Sequence, residues 1–200
     1  MSEQNNEKEE PNQPPLPRPT IQSQRFLLRP FFPEDAEDMQ RLVNDRDIAR
    51  FTRSIDYPYP LENAKAWIAS HEQLWNDGKA IVFAICEIAT GALRGAVGLH
   101  VSQVDHHAEV GYWIGKELWG KGIATEACSR AIRYGFEELG LERIHAHHMA
   151  VNPASGKVLE KSGMTQEGYL RKHVRKWGEF HDIVFYGVLA EEWRNGQGTV

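Results

Sequence analysis

Short runs rich in hydrophobic residues, some alternating with polar ones, mark the predicted β-strands of this chain. Runs of this kind occupy 25–29, 80–88, 93–101, 108–114 and 143–151. The stretch 165–189 has the same character and contains a turn near Gly178, so it predicts two further strands. Val104-Asp105 lies between two consecutive runs and predicts the tight turn of an antiparallel hairpin.

Helical periodicity fills the stretches between these strands. Apolar residues recur at helical spacing in 33–44, 62–76, 124–139 and 153–163. Gly140 ends the third of these helices at a C-cap position. The resulting order is β-α-α-β-β-β-α-β-α-β-β, which predicts an α/β (α+β) domain with a mixed, mostly antiparallel central sheet flanked by helices.

The first 20 residues differ in composition from the rest of the chain. They hold five of the ten prolines and an acidic cluster at Glu7, Glu9 and Glu10, with few strong hydrophobes. Such a segment buries too little apolar surface to offset the entropy of ordering it. We therefore expect a disordered tail at 1–20 and one globular domain at 21–200.

Composition limits the cellular compartments and the classes of binding partner that we expect. The net charge of −5 disfavours DNA as a partner, because phosphate binding usually requires a basic surface. No run approaches the roughly 18 apolar residues of a membrane span, and the N-terminus lacks the apolar core of a secretory signal. Cys86 and Cys128 lie in apolar segments, as buried free thiols do in a reducing compartment. We expect a cytoplasmic protein without a membrane partner.

The strongest chemical signal is the glycine-rich turn between the strand at 108–114 and the helix at 124–139. Gly120 and Gly122 leave the backbone accessible, and the free N–H groups of a helix start attract an anion. Lys121 adds a positive charge. The turn predicts a phosphate or pyrophosphate site, unless its glycines serve only strand-to-helix packing. A P-loop is disfavoured, because Gly122 stands where that motif has the serine or threonine that holds magnesium.

Several motifs surround this turn in a fixed order. They are Glu109-x-Gly-Tyr-Trp, Gly120-Lys-Gly-Ile-Ala-Thr-Glu-Ala127, Asn152-x-x-Ser155, Glu160-Lys-x-Gly163 and Glu167-Gly168. With this set the chain resembles, from about residue 23 to 193, the GCN5-related N-acetyltransferase (GNAT) superfamily, and within it the RimJ/RimL-type branch of ribosomal-protein N-terminal acetyltransferases. The resemblance implies the GNAT fold and an acetyl-CoA-dependent N-acetyltransferase that transfers the acetyl group directly to a primary amine, without a metal, as a monomer or homodimer.

The resemblance also implies how acetyl-CoA is bound. In the family the glycine-rich turn holds the coenzyme A pyrophosphate, and the preceding strand pairs with the pantetheine arm. The residues that match these roles are Tyr112, Trp113, Ile114, Gly120, Lys121, Gly122, Ile123, Ala124, Thr125, Asn152 and Ser155. Asn152 matches a residue that bonds the pantetheine or orders the next helix, and Ser155 matches the position proposed to protonate the leaving thiolate.

Two positions depart from the family pattern. Trp119 stands where the turn often begins with Arg or Gln, which removes a polar group but keeps the backbone amides. A carboxylate proposed as the base in the ribosomal-protein branch would fall near Val174, which cannot serve.

The sequence leaves three classes of amine acceptor open. They are a protein N-terminus, such as that of a ribosomal protein; a polyamine or amino sugar; and an amino-acid derivative. A non-catalytic acetyl-CoA-binding regulator is the alternative function.

A base is needed because a lysine-like amine is only about 0.1 % neutral at pH 7, although an α-amine is far more so. Glu109 is the first candidate, and a turn at Val104-Asp105 places His100 opposite it, as a His–carboxylate proton relay. The alternative is a structural role for both residues. Ser155 is the candidate acid, or else makes a helix-start hydrogen bond near Asn152.

Nine histidines raise the question of a metal site. His145 and His147 share one strand face, but no cysteine or carboxylate cluster completes a ligand set, so no metal is expected. The late region is rich in cations, and we expect these to form a solvated face. They are Lys157, Lys161, Arg171, Lys172, Arg175 and Lys176.

Overall fold

A computed structural model describes residues 17–197 of the chain. The strands are β1 Ile21–Gln22, β2 Phe26–Pro30, β3 Ala80–Glu87, β4 Leu93–Ser102, β5 His107–Ile114, β6 Arg143–Met149, β7 Thr165–Lys176 and β8 Glu179–Leu189. The helices are α1 Ala36–Val43, α2 Arg46–Phe51, α3 Leu61–Asn76, α4 Ile123–Glu137, α5 Pro153–Lys161 and α6 Ala190–Gln197. Single 3-10 turns at Pro33–Asp35 and Lys116–Leu118 lead into α1 and the glycine-rich turn.

Each element that the hydrophobic pattern predicts is present, and three short elements are additions to it. They are β1, α2 and α6. The helix α2 has six residues, which is too short for a helical period to be recognised. It is started locally by Asp45, whose side chain accepts a hydrogen bond from the backbone N–H of Asp47.

The sheet has eight strands in the order β1-β2-β3-β4-β5-β6-β8-β7. Neighbouring strands are antiparallel except for β5 and β6, which are parallel. The structure thus confirms a mixed, mostly antiparallel sheet flanked by helices. The single parallel pair is in the middle of the sheet, next to the strand that leads into the glycine-rich turn.

Two hydrophobic clusters cover the two faces of the sheet. On one face α4 packs Ala131 and Ile132 against strand residues that include Leu99 and Val110. On the other face α1 and α3 pack against a second set that includes Ala84, Ala96 and Trp113. Cys86 and Cys128 are free and buried, one in each cluster, as the sequence predicts.

The β4–β5 hairpin has the predicted register. Ser102 pairs with His107 next to the turn, and His100 pairs with Glu109 two steps further along the ladder. Directly opposite residues in an antiparallel pair share a face. His100, Glu109 and Trp113 therefore lie on the face that α1 and α3 partly cover.

The predicted tail at 1–20 lies mostly outside the described residues, since its first 16 residues are not described. Residues 17–20 form neither helix nor strand, and Arg18 donates a hydrogen bond from Nη2 to the carbonyl of Phe31 over 3.4 Å. From residue 17 to 197, no helix is long and apolar enough to cross a membrane.

His71 on α3 is a buried titratable group without a hydrogen-bond partner. It is 2 % exposed, neither ring nitrogen has a partner among the described residues, and its ring packs on Trp67 at 4.2 Å. Burial, reinforced by the charge of Arg18, lowers the pKa of His71 to about 4. The side chain is therefore neutral in the folded protein at neutral pH.

We expect His71 to make stability depend on pH. Below about pH 6.5 the unfolded chain binds a proton that folded His71 does not accept until about pH 4, so the free energy of unfolding falls across this window. Between pH 7 and 5 the loss is about 2 kcal/mol. Urea denaturation of wild type and His71→Leu checks this.

The His71→Leu variant should lose stability less steeply between pH 7 and 5 than wild type. His106→Asn, which removes an exposed turn histidine, serves as the control and should keep the wild-type slope. An equal slope in all three proteins would show that His71 is not the group responsible.

Candidate active site

The middle of the sheet is opened by the separation of β5 and β6. Their parallel pairing runs from His107↔Arg143 to Glu109↔His145 and ends there. β5 nevertheless continues to Ile114 and β6 to Met149. The β6-facing edge of 110–114 is therefore open to a ligand that lies along it like a strand, apart from the Ile114 carbonyl, which accepts a hydrogen bond from Nε1 of Trp119 at 2.8 Å.

The three β5 residues expected to meet pantetheine lie on this open edge. Tyr112 reaches across the opening to α5, where its hydroxyl lies 2.7 Å from Oγ and 3.2 Å from the carbonyl oxygen of Ser155, so its single proton can be donated to either oxygen. Burial raises the pKa of Tyr112 well above its usual value, so the phenol stays protonated. Trp113 and Ile114 are buried, so a ligand can meet only backbone groups along this edge.

The glycine-rich turn fits an anion. Gly120 and Gly122 both have φ of +75°, a conformation that other residues adopt only with strain. A Cβ at Gly120 would meet nothing within 4 Å, so the space in front of the turn is open. The backbone N–H groups of 123–125 have no partner among the described residues, because the first helical bond of α4 is made by Glu126. These amides and the dipole of α4 form the predicted cradle.

Arg25 and Glu126 hold this cradle against β2. Glu126 accepts hydrogen bonds from the Arg25 backbone at 2.7 Å, the Arg25 guanidinium at 2.7 Å and the Ser23 hydroxyl at 2.8 Å. Burial opposes the charge of Glu126, but these bonds outweigh it and lower its pKa. Arg25 also donates to the Lys121 carbonyl at 3.2 Å. Sequence reasoning missed this clamp, since its partners are 101 residues apart.

A cavity of about 640 Å³ adjoins the clamp. It lies between α4, the end of α5 and α6, and its lining includes Glu126, Ser129, Arg130 and Lys161. Its three cations, Arg130, Arg133 and Lys161, suit an anionic group that extends from the glycine-rich turn.

Asn152 and Ser155, at the start of α5, make different contacts. The Asn152 side chain caps the helix by accepting from the Ser155 backbone N–H at 3.3 Å. Asn152 thus orders the helix, which is one of its two expected roles. The Ser155 hydroxyl is not used in this cap, since Oγ faces Tyr112 instead.

Glu109 is paired with His147 rather than with the predicted partner His100. Nδ1 of His147 lies 2.8 Å from Oε1 of Glu109, whereas His100 makes no hydrogen bond to Glu109 although it is opposite in the ladder. The reason is the parallel neighbour: β6 brings His145 beside Glu109, and His147 on the same face reaches the carboxylate. The His147 hydrogen bond lowers the pKa of Glu109 against the effect of burial.

Lys176 is an exception to the predicted solvated basic face. It is 7 % exposed, and its Nζ donates to the carbonyls of Ile55 at 2.6 Å and Arg53 at 3.4 Å. The tip of the β7–β8 hairpin is thereby fastened to the loop that follows α2. Val174, on the same strand, is buried.

No group of three or more His, Cys, Asp or Glu side chains in the described part of the chain is arranged to hold a metal ion. His107 and His145 stack edge to face at 5.1 Å on the same face as Glu109.

Comparison with known proteins decides the family. The model of the acetyltransferase (GNAT) domain family matches residues 25–165, which is more than half of the chain. The chain belongs to the GNAT acetyltransferase family. Members of this family use acetyl-CoA as the acetyl donor, and the chain is accordingly an N-acetyltransferase.

The chain aligns with named relatives over nearly their whole length. A Bacillus subtilis protein named "Putative ribosomal N-acetyltransferase YdaF" is 33 % identical over 86 % of this chain and 94 % of its own. The ribosomal protein uS5-alanine N-acetyltransferase of Escherichia coli is 27 % identical over 78 % of this chain and 90 % of its own. The structure of a GNAT-family acetyltransferase from Bacillus anthracis has a TM-score of 0.77 at 28 % identity and covers 86 % of this chain and 99 % of its own.

The Glu109–His147 pair can be tested without substrate. Because the His147 hydrogen bond is the largest cause of the lowered pKa of Glu109, His147→Phe should raise that pKa. His100→Phe should change it much less, since His100 makes the smallest contribution. Carboxyl-carbon NMR titration of the two variants and wild type measures both shifts, and a larger rise in His100→Phe would restore the partner expected from the sequence.

Proposed function

We propose that this N-acetyltransferase transfers the acetyl group directly from acetyl-CoA to the N-terminal α-amine of a protein. The observation that carries the proposal is the conjunction of the β5–β6 opening with the amide cradle at the start of α4. On one face of the sheet, the opening is bordered by Tyr112 and Ser155 of α5. On the opposite face, it is bordered by the Glu109–His147 pair. A donor can therefore enter from one side of the sheet and an amine from the other.

The chain's own groups suit acetyl-CoA, which supplies an acyl thioester as the electrophile. The amides of 123–125 bind its pyrophosphate, and the free edge of 110–114 hydrogen-bonds its pantetheine arm. A backbone N–H next to Trp113 on this edge stabilises the negative charge that develops on the thioester oxygen. Lys161 and Arg130 in the adjoining cavity suit the adenosine phosphate.

Ser155 assists departure of the thiolate. The Tyr112 hydroxyl can donate to Oγ of Ser155 over 2.7 Å, which frees the Ser155 O–H to donate to the leaving sulfur. A thiol has a reference pKa of about 8.5, so the thiolate is a tolerable leaving group and the assistance is modest.

An α-amine is the acceptor best supported. Its reference pKa of about 8 leaves an appreciable neutral fraction at pH 7, in contrast to lysine or a polyamine. The relatives named for ribosomal proteins support the same class, and a ribosomal acceptor would place the reaction in the cytoplasm. A polyamine is the second candidate, and the buried, apolar Val174 favours it weakly by removing a carboxylate of the ribosomal-protein branch.

Acetyl-CoA should stabilise the protein against heat. A ligand at 100 times its Kd adds about 2.7 kcal/mol, which raises Tm by roughly 5–10 °C for a chain of this size. Gly122→Glu should abolish the shift, because a carboxylate in the cradle repels the pyrophosphate. Gly91→Glu, at a remote turn glycine with φ of +71°, carries equal backbone strain and should keep the shift. No shift in the folded wild type at millimolar acetyl-CoA would contradict donor binding.

Turnover then separates an enzyme from a regulator. Acetyl-CoA and a panel of N-terminal peptides, polyamines and amino sugars should give N-terminally acetylated peptides, detected by mass spectrometry. Binding of acetyl-CoA without turnover of any amine would favour the non-catalytic regulator.

Ser155→Ala should lower kcat while leaving the KM for acetyl-CoA nearly unchanged. The expected decrease is about 10²-fold, at the low end for acid–base assistance, because the thiolate leaves readily. Steady-state kinetics with a peptide acceptor measure it. Ser162→Ala, which removes a hydroxyl bonded within α5, is the matched control. A wild-type kcat in Ser155→Ala would remove the assigned role.

A further inference from the structure

The sheet face that carries Glu109 is uncovered at the point where β5 and β6 separate. Glu109, Gly111 and Trp113 alternate along this face of β5. Trp113 is buried beneath the helices, whereas Gly111, two residues away in the centre of the sheet, is exposed. An exposed backbone in a central strand marks a depression in the surface, next to the Glu109–His147 pair.

Within the pair, the geometry gives each group a distinct task. Nδ1 of His147 faces the Glu109 carboxylate, so the proton is held on Nδ1 and the lone pair is on Nε2. Nε2 of His147 has no hydrogen-bond partner among residues 17–197. The ring is held in place by Phe185 at 5.5 Å, and the side chain remains 24 % exposed. His147 thus presents an oriented, accessible acceptor of a proton.

Neither backbone conformation nor packing requires a glycine at position 111. A Cβ there would meet nothing within 4 Å, and its φ is not positive. Its cross-strand neighbour Gly98 is different, because a Cβ at 98 would lie 3.1 Å from the carbonyl of Ile81 and 3.2 Å from a methyl of Val82. A glycine in a strand interior otherwise weakens the strand. The open space above Gly111 is therefore what an approaching substrate would use.

We propose that the acceptor amine approaches the thioester over Gly111 and gives its proton to Nε2 of His147, which Glu109 orients through Nδ1. The nitrogen forms the new bond to the acetyl carbon, and the carbon–sulfur bond breaks with its electron pair on sulfur. One amine proton passes to His147 and from there to solvent. The inference rests on the proposed acetyl transfer and assigns the proton acceptor within it.

Other titratable groups face this site and must be distinguished from His147. They are His100 from β4, His107 from β5, Arg143 and His145 from β6, and His173, whose ring contacts Phe185 from β7. The test therefore uses His145→Gln and His100→Gln as comparison variants.

The pH profile of kcat/KM with a peptide acceptor tests the assignment. Deprotonation of the substrate amine, near pH 8, causes one rise of kcat/KM with pH, which wild type and all variants share. A second rise with pH is due to the enzyme's own proton acceptor and is the enzyme's limb of the profile. His147→Phe should lose this limb and reduce kcat/KM by about 10²–10⁴-fold. Glu109→Gln should reduce kcat/KM but keep this limb, because the amide oxygen can still accept from Nδ1. The His145 and His100 variants should keep it as well.

Two outcomes would overturn the assignment. If Glu109→Gln loses the enzyme's limb while His147→Phe keeps it, Glu109 itself is the base. If both keep it, neither residue takes the proton. The acetyl-CoA thermal shift should be retained in both variants, so a failure of donor binding, and with it of the proposed function, would be recognised separately.

The approach over Gly111 has its own test in the two cross-strand glycines. Gly111→Val should leave the free energy of unfolding unchanged or raised and keep the acetyl-CoA shift, yet lower kcat/KM for the peptide at least tenfold. Gly98→Ala should lower stability, because the added methyl would crowd the Ile81 backbone carbonyl at 3.1 Å. Wild-type kcat/KM in Gly111→Val would show that the amine does not pass over this residue.

Discussion

The end of parallel pairing between β5 and β6 is the constraint on which the rest of the site depends. Beyond Glu109↔His145 the two strands diverge, although each remains paired on its outer side with β4 or β8. The divergence leaves a strand edge unpaired in the centre of the sheet, where an open edge is otherwise avoided. It also separates the start of α4 from the start of α5, and the Tyr112–Ser155 contact spans the gap. A closed sheet would leave no room for a thioester between the two faces.

Features set by short-range spacing could be predicted from the sequence. Gly120 and Gly122 occur directly before a long amphipathic helix, so the cradle follows from backbone conformation and the helix start alone. The register of His100 against Glu109 was also predictable, because the length of a hairpin turn fixes the register of both strands. In each case the deciding residues lie within about ten positions of one another.

Features that depend on long-range pairing could not be predicted. His147 reaches Glu109 only because β6 is parallel to β5, and the alternation of His145 and His147 shows a shared face without showing which strand adjoins it. Lys176 resembles its charged neighbours in sequence, yet it is buried because carbonyls of Arg53 and Ile55 approach it from a loop about 120 residues earlier. A buried ammonium needs such partners, and the sequence does not show that they are there.

Gly98 and Gly111 show why residue type alone does not reveal function. The two glycines are directly paired on one face, and both interrupt a strand. At Gly98 a side chain would crowd the Ile81 carbonyl and a Val82 methyl group, so the packing of the chain favours glycine. At Gly111 the space is empty, and any side chain would add strand propensity. A residue that costs stability without a structural reason is best explained by a molecule that the chain binds, and here that molecule would lie beside Nε2 of His147.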